Sequence, residues 1–369
     1  MSTTTSILDR EDTLDINGLA AELFRQAAAK IDVVADTRRL GFYSSPKGQS
    51  YLTIDGVDSP FDDETFEQGF RVNEYAHDQL GGRLGIPSKY YDRMRTMAPG
   101  LLDTNVSYWF REQPETRLLR MLDGKLRAVL SDRYRRLDNI DLMESILPVF
   151  NEIDGLQFHV ASLTDTRLYV RAILPTLYAE IGIGDIVQAG VEIRNSEVGA
   201  GALAVSPYLW RLVCLNGMVS IAAIRKYHVG RKVEESDELL GVFTDETIKA
   251  DDTAFFLKVR DIVKAALSEA RFEEIIAGLR EIASGERVTN PVKASEVLAN
   301  TYALNENEQT SILRHLIEGG DLSQWGAANA LTAAAKDASD FDRVAEMEVL
   351  GGRVAALSPV EWGRIARTV

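Results

Sequence analysis

The chain has 369 residues, 45% of them hydrophobic and 26% charged, which fits a globular protein of about two domains and excludes a disordered or fibrous one. Its single cysteine, Cys214, excludes an internal disulfide and a thiolate metal cage. The net charge of −15 argues against a polyanionic partner until the charges are placed along the chain.

The opening segment, MSTTTSILDREDTLDI, carries acids where a secretory signal needs a positive flank, and no apolar run approaches the ~20 residues that span a bilayer. A cytoplasmic protein that does not enter a membrane is the expectation. Residues 17–30 have helical spacing, and LGFYSSPKGQSYLTI reads as two strands about a Pro-Lys-Gly turn. Residues 62–81 start with acids suited to a helix N-terminus and end at Gly81-Gly82. IPSKYYDRMRTM starts another helix at Pro87 or Ser88. TRLLRML, Asp123-Gly124 and KLRAVLS predict a β-hairpin, with Leu126, Ala128 and Leu130 on one face and Lys125, Arg127 and Val129 on the other. A helix follows from Asp138 or Asn139 to Phe150, then strands at 156–163, 167–174 and 185–194. ALAVSPYLW comes next, and RLVCLNGMV reads as a buried helix or strand ended by Asn216-Gly217. From Ala254 onward apolar residues recur at steps of three and four, and Asn305/Glu308 and Ser358/Glu361 resemble capping boxes. The fold class expected is α+β, a mainly antiparallel sheet core with packed helices, followed by an all-α C-terminal region.

Charge is unevenly spread. Residues 1–100 hold 11 basic against 16 acidic residues, 101–232 hold 16 against 15, and 233–369 hold 14 against 25. The abrupt change of sign after Lys232 marks a boundary, and the expected divisions are an α/β lead-in at 1–100, an α+β core at 101–233 and an acidic helical region at 254–369. Within the core, residues 117–136 carry seven basic and two acidic residues. Arg117, Arg120, Lys125, Arg127, Arg133, Arg135 and Arg136, with Tyr134 inside the run and Trp109 upstream, have the composition of a strip that tracks phosphates and stacks bases. Arg225, Lys226, Arg231 and Lys232 would extend that path. The alternative is a solvated sheet face salt-bridged to the acidic C-terminal region.

Enzyme chemistry has little support. The loop Asn195-Ser196-Glu197-Val198-Gly199-Ala200-Gly201 lies between strands and lacks Gly-Lys-Ser/Thr, so it is no P-loop and reads as a turn or bulge. His77, His159, His228 and His315 have no ligand spacing, and Cys214 reads as a small buried hydrophobe rather than a nucleophile paired with His228. Asp185, Glu192 and Glu197 could meet at a divalent cation, although their spacing does not require it. No cofactor is expected.

The run RLLRMLDGKLRAVLSDRYRRLDN, at 117–139, resembles the signature of the phage/plasmid-like proteins, a family of unknown function found in phages, plasmids and integrated elements. NSEVGAGALAVSPYLWRLVCLNGMV, at 195–219, resembles the family's second signature, carried by Asn195, Ser196, Glu197, Gly199, Gly201, Arg211, Asn216 and Gly217. LGIPSKYYDRM upstream, and ANALTAAAKD and EMEVLGG downstream, extend the resemblance over about residues 70–355. The order of hairpin, helix and further strands is also similar to the core of phage single-strand annealing proteins, which bind DNA along a basic groove and assemble without metal or nucleotide. The resemblance implies an accessory protein that binds single-stranded DNA in recombination or replication and forms a homo-oligomer. The alternatives are an interaction protein whose partner docks on the acidic C-terminal helices, and a metal-dependent enzyme.

Overall fold

A computed structural model describes residues 10–45, 48–58, 69–134, 136–220 and 245–368. Helix α1 (Ile16–Ala29) begins where the Asp15 carboxylate accepts the Gly18 N–H. It leads into β1 (Ile31–Asp36), β2 (Leu40–Ser44), β3 (Ser50–Ile54) and the short β4 (Phe70–Val72). Three helices follow, α2 (Glu74–Arg83), α3 (Ser88–Met97) and α4 (Pro99–Glu112), and then the hairpin strands β5 (Thr116–Leu122) and β6 (Lys125–Ser131). These six strands form one sheet in the order β1-β5-β6-β4-β3-β2, antiparallel except where β4 runs beside β6. The hairpin thus pairs with strands of the first hundred residues, not with those at 157–219.

Helix α5 (Asn139–Glu152) crosses to a second, wholly antiparallel sheet. Its strands are β7 (Gln157–Leu163), β8 (Leu168–Glu180), β9 (Ile186–Asn195), β10 (Ala204–Arg211) and β11 (Asn216–Val219), in sequential order. From residue 245 on, the described chain is helical: α6 (Asp245–Ala266), α7 (Glu269–Ser284), α8 (Pro291–Tyr302), α9 (Glu306–Gly319), α10 (Gln324–Ala334), α11 (Phe341–Ala355) and α12 (Pro359–Ala366). The class is α+β with an all-α C-terminal region. Both capping boxes form, at the starts of α9 and α12.

Three cores follow from these layers. Helices α2 to α4 cover one face of the first sheet, burying Leu80, Met94, Leu102, Val106 and Phe110 against Phe42, Leu52, Phe70 and Leu126. The second sheet is buried on both faces. Val170, Ala172, Val191, Ile193 and Val205 meet α1, α5 and α6, while Tyr169, Ile173, Tyr208 and Trp210 meet the C-terminal bundle. Inside that second interface Arg171, cross-strand neighbour of Glu192, donates to Glu192 and to Glu348 of α11. Its guanidinium lies 4.8 Å from the Tyr208 ring centre and 4.9 Å from that of Phe341. A buried cation held by two carboxylates and two rings is sufficiently paired to remain charged.

Three local expectations change. Residues 70–72 are a strand, and the helix begins after it, where Asn73 caps the Ala76 N–H; residues 59–68 lie outside the described residues. Asn216-Gly217 opens a strand instead of ending one: Arg211 closes β10, a turn with Leu215 at φ 49° reverses the chain, and β11 returns. The hairpin faces also differ. Asp123 and Gly124 make the positive-φ turn, but the β5–β6 register slips at Arg120/Met121, so Arg127 has no opposite residue. A bulge of one residue rotates everything beyond it to the other face. Leu126 and Val129 therefore share the helix-covered core, whereas Ala128 and Leu130 join Leu118 on the opposite face.

A candidate anion-binding groove beside a two-sheet joint

The face of the first sheet away from α2–α4 is divided in two. At one end it is capped by the loop after β9. Val198 inserts among Leu118, Ala128 and Leu130, and its carbonyl accepts from Gln79, whose own carbonyl accepts the Val129 N–H at 2.7 Å. Tyr134 donates to the Ser196 carbonyl at 3.0 Å, and burial pushes its phenol pKa up. Gly199 has φ +80°, and a Cβ there would come within 2.8 Å of Leu130, so the tip of this plug favours glycine. The Ser196 hydroxyl accepts the Ala200 N–H and donates to the Thr166 carbonyl, which fixes the loop internally. Asn195 bonds the Leu137 carbonyl and the Asn139 side chain, and Gly201 packs beside Arg167.

Ionic contacts complete this joint. Arg120 is only 1% exposed and donates to Asp32 at 3.0 Å, to Asp138 at 2.5 Å and to the Glu197 carbonyl at 2.9 Å. Lys30 takes the other Asp138 oxygen. Burial alone would raise the Asp138 pKa, but Arg120 and Lys30 outweigh it and hold the carboxyl below its usual value. The Glu197 carboxylate accepts the Asn139 N–H at the start of α5 at 2.8 Å and the Arg127 guanidinium at 3.2 Å. The two sequence segments that stood out, 117–139 and 195–201, are therefore two sides of one interface.

This placement revises the basic strip. Arg117 pairs with Glu115, Arg120 is buried in the joint, and Arg136 lies 3.8 Å from Asp32. Arg133 is exposed. Among the described residues the hairpin cations pair with Glu115, Asp32, Asp138 and Glu197 rather than with the acidic C-terminal helices. Trp109 packs from α4 against the core on the other face of the sheet, edge-on to Tyr108, so it does not join the hairpin cations. Tyr134 is committed to the joint. Arg135, Arg225, Lys226, Arg231 and Lys232 lie outside the described residues. Of the second segment, Arg211 bonds Asp185 at 2.6 Å and Cys214 at 3.0 Å, and Asn216 bonds Thr332 of α10. A Cβ at Gly217 would collide with the Tyr208 ring. Asn216, and Arg211 with its guanidinium 6.0 Å from the Trp325 ring centre, tie the second sheet to α10, while Gly217 makes room for Tyr208 within that sheet.

The three carboxylates weighed as metal ligands serve three different arginines, Asp185 with Arg211, Glu192 with Arg171 and Glu197 with Arg127. Among the described residues no group of three or more His, Cys, Asp or Glu could hold a metal ion.

Beyond the plug the same face carries Arg71 and Lys125, both exposed, beside the buried Tyr51. A groove of about 710 Å³ borders this face, lined by Arg71, Lys125 and Arg127 of the sheet, by Glu22 and Arg25 of α1, by Gly48–Ser50 and Leu163–Asp165, and by Glu74, His77 and Arg95 of α2 and α3. Most of its charges cancel locally: Arg25 bonds Glu22 and Asp123, and Arg95 bonds Glu74. Arg71 and Lys125 are exposed and pair with no carboxylate among the described residues. Sheet register brings them together, Arg71 opposite Lys125 and Tyr51 opposite Arg71, with Tyr43 beyond. Tyr43 and Tyr51 stack with centres 5.5 Å apart and planes 17° from parallel. The row Tyr43–Tyr51–Arg71–Lys125 thus sets two stacked rings beside two cations. Asp165, also in the groove lining, pairs with no cation among the described residues. At the groove's end His77 is buried, bonded to Tyr91 at 2.8 Å, and burial lowers its pKa to about 4.

Sequence reading missed Arg71, Tyr43 and Tyr51. Arg71 lies between the apolar Phe70 and Val72, an alternation that a three-residue strand is too short to make conspicuous. No family model matches the chain, and neither a curated protein nor a solved structure matches it.

Proposed function

We propose that this protein binds single-stranded nucleic acid, most naturally DNA, along the groove bordering the first sheet, as an accessory protein of the phage/plasmid kind acting in recombination or replication. The observation that supports it is the cross-strand pair of exposed cations Arg71 and Lys125 in the groove, with Arg127 beside them. Exposed cations that pair with no carboxylate among the described residues are placed to neutralise phosphates. The reading keeps Lys125 and Arg127 from the basic strip, adds Arg71, and gives Arg120 a structural role.

The test is fluorescence anisotropy with labelled dT20 at low salt. Binding in the micromolar range is expected. Dissociation constants above ~100 μM, weaker than ordinary non-specific binding, would sink the reading. Arg71→Gln with Lys125→Gln should weaken binding and make the slope of log K against log salt shallower by about 1.4, at ~0.7 per phosphate contact on a single strand.

A further inference from the structure

Arg127 belongs to the groove and to the joint at once. Arg127 lines the groove together with Lys125, and one of its guanidinium nitrogens bonds Glu197, which sits on the plug. Among the described residues its other nitrogens make no hydrogen bond. The Arg127–Glu197 contact, at 3.2 Å, is longer than either bond from Arg120 to a carboxylate. Glu197 is itself 5% exposed, so little water screens it from an anion arriving in the groove. Its second oxygen stays compensated by the Asn139 N–H at the α5 N-terminus when Arg127 leaves.

We propose that Glu197 is a resident competitor for the groove: it occupies Arg127 in the free protein, and a phosphate chain in the groove takes Arg127 from it, loosening the plug at 195–201. This rests on the nucleic-acid reading above and adds its regulation. The physical reason is that a phosphate beside Arg127 is repelled by Glu197 and attracted by the same guanidinium, so the two anions share one cation at a distance too short for both. Coupling is reciprocal. Whatever docks the plug more firmly weakens binding in the groove, and occupancy of the groove relaxes the contact between the two sheets.

Glu197→Gln removes the competing charge while its amide oxygen still accepts from Asn139. It should bind dT20 about fivefold more tightly than the wild type, the low end of ordinary coupling between sites. Wild-type protein gives an independent readout that needs no variant: hydrogen exchange of the amides at 195–201 should speed up when dT20 is added. Unchanged or weaker binding by folded Glu197→Gln, or unchanged or slowed exchange in this loop, overturns the proposal while leaving the nucleic-acid reading intact if Arg71 and Lys125 still govern affinity. Absence of dT20 binding by the wild type overturns both. If Glu197→Gln does not fold, the exchange experiment decides.

Discussion

Arg120→Met tests the joint most directly. Methionine keeps much of the apolar stem but removes a guanidinium that bonds two carboxylates and a carbonyl while almost wholly buried. Breaking a buried ionic group by removing one partner costs about 3–5 kcal/mol, because the charges left behind stay out of water. Here Asp138 keeps Lys30, and Asp32 keeps the more distant Arg136, so the lower end applies, about 3 kcal/mol. Arg127→Met, whose Glu197 partner retains the Asn139 N–H, should cost less, about 1 kcal/mol. Urea unfolding of both variants, followed by far-UV circular dichroism and by hydrogen exchange in β5 and β6, measures the difference. An Arg120→Met loss below about 1 kcal/mol, or one no larger than that of Arg127→Met, would refute the view that Arg120 organises the interface.

Other consequences are as specific. Asp138 has a depressed pKa in the folded protein, so its contribution to stability is complete above the ordinary carboxylate range and disappears as pH falls through the folded value. Asp138→Asn should therefore flatten the acid limb of a stability–pH curve, and an unchanged limb would contradict the assignment. Gly199→Ala should cost about 1–3 kcal/mol from φ +80° and the approach to Leu130, read as a lower urea midpoint. Gly217→Ala should destabilise the contact between the second sheet and the C-terminal bundle by a similar ~1–3 kcal/mol, seen as protease sensitivity of α10 and α11 with the first sheet's exchange unaffected. Asp165→Asn should tighten dT20 binding modestly, and weaker binding would show that Asp165 does not face the ligand.

Much of the fold was legible. The hairpin turn shows in Asp123-Gly124, helices α6 and α7 in the three- and four-residue spacing from Phe255 to Leu279, and two helix starts in complete capping boxes. What escaped was the partner of each element. Sequence alternation assigns side chains to faces only while the register is unbroken, and the single bulge at Arg127 moved Ala128 and Leu130 to the other face of the sheet. Clustered cations are visible in a sequence, but the acids that neutralise them are not, since Asp32 is 88 residues from Arg120 and Glu197 is 70 residues from Arg127. Arg71, which like Lys125 pairs with no carboxylate among the described residues, comes from a segment with no cluster at all. Asn195 to Gly201 stood out as a loop of small and polar residues, yet its role as a plug is set by what Leu118 and Leu130 leave uncovered.

The plug has a consequence for the order in which the chain is made. All six strands of the first sheet have been synthesised by Ser131, yet the carbonyl that completes Arg120's bonds and the Val198 that covers Leu118 and Leu130 are still some seventy residues away. At ~5–20 residues per second the nascent sheet waits several seconds with an apolar patch uncovered and a buried arginine short of one acceptor. That interval is when a chaperone has most to hold, and a ribosome stalled between β6 and β9 would present a sheet with that patch exposed.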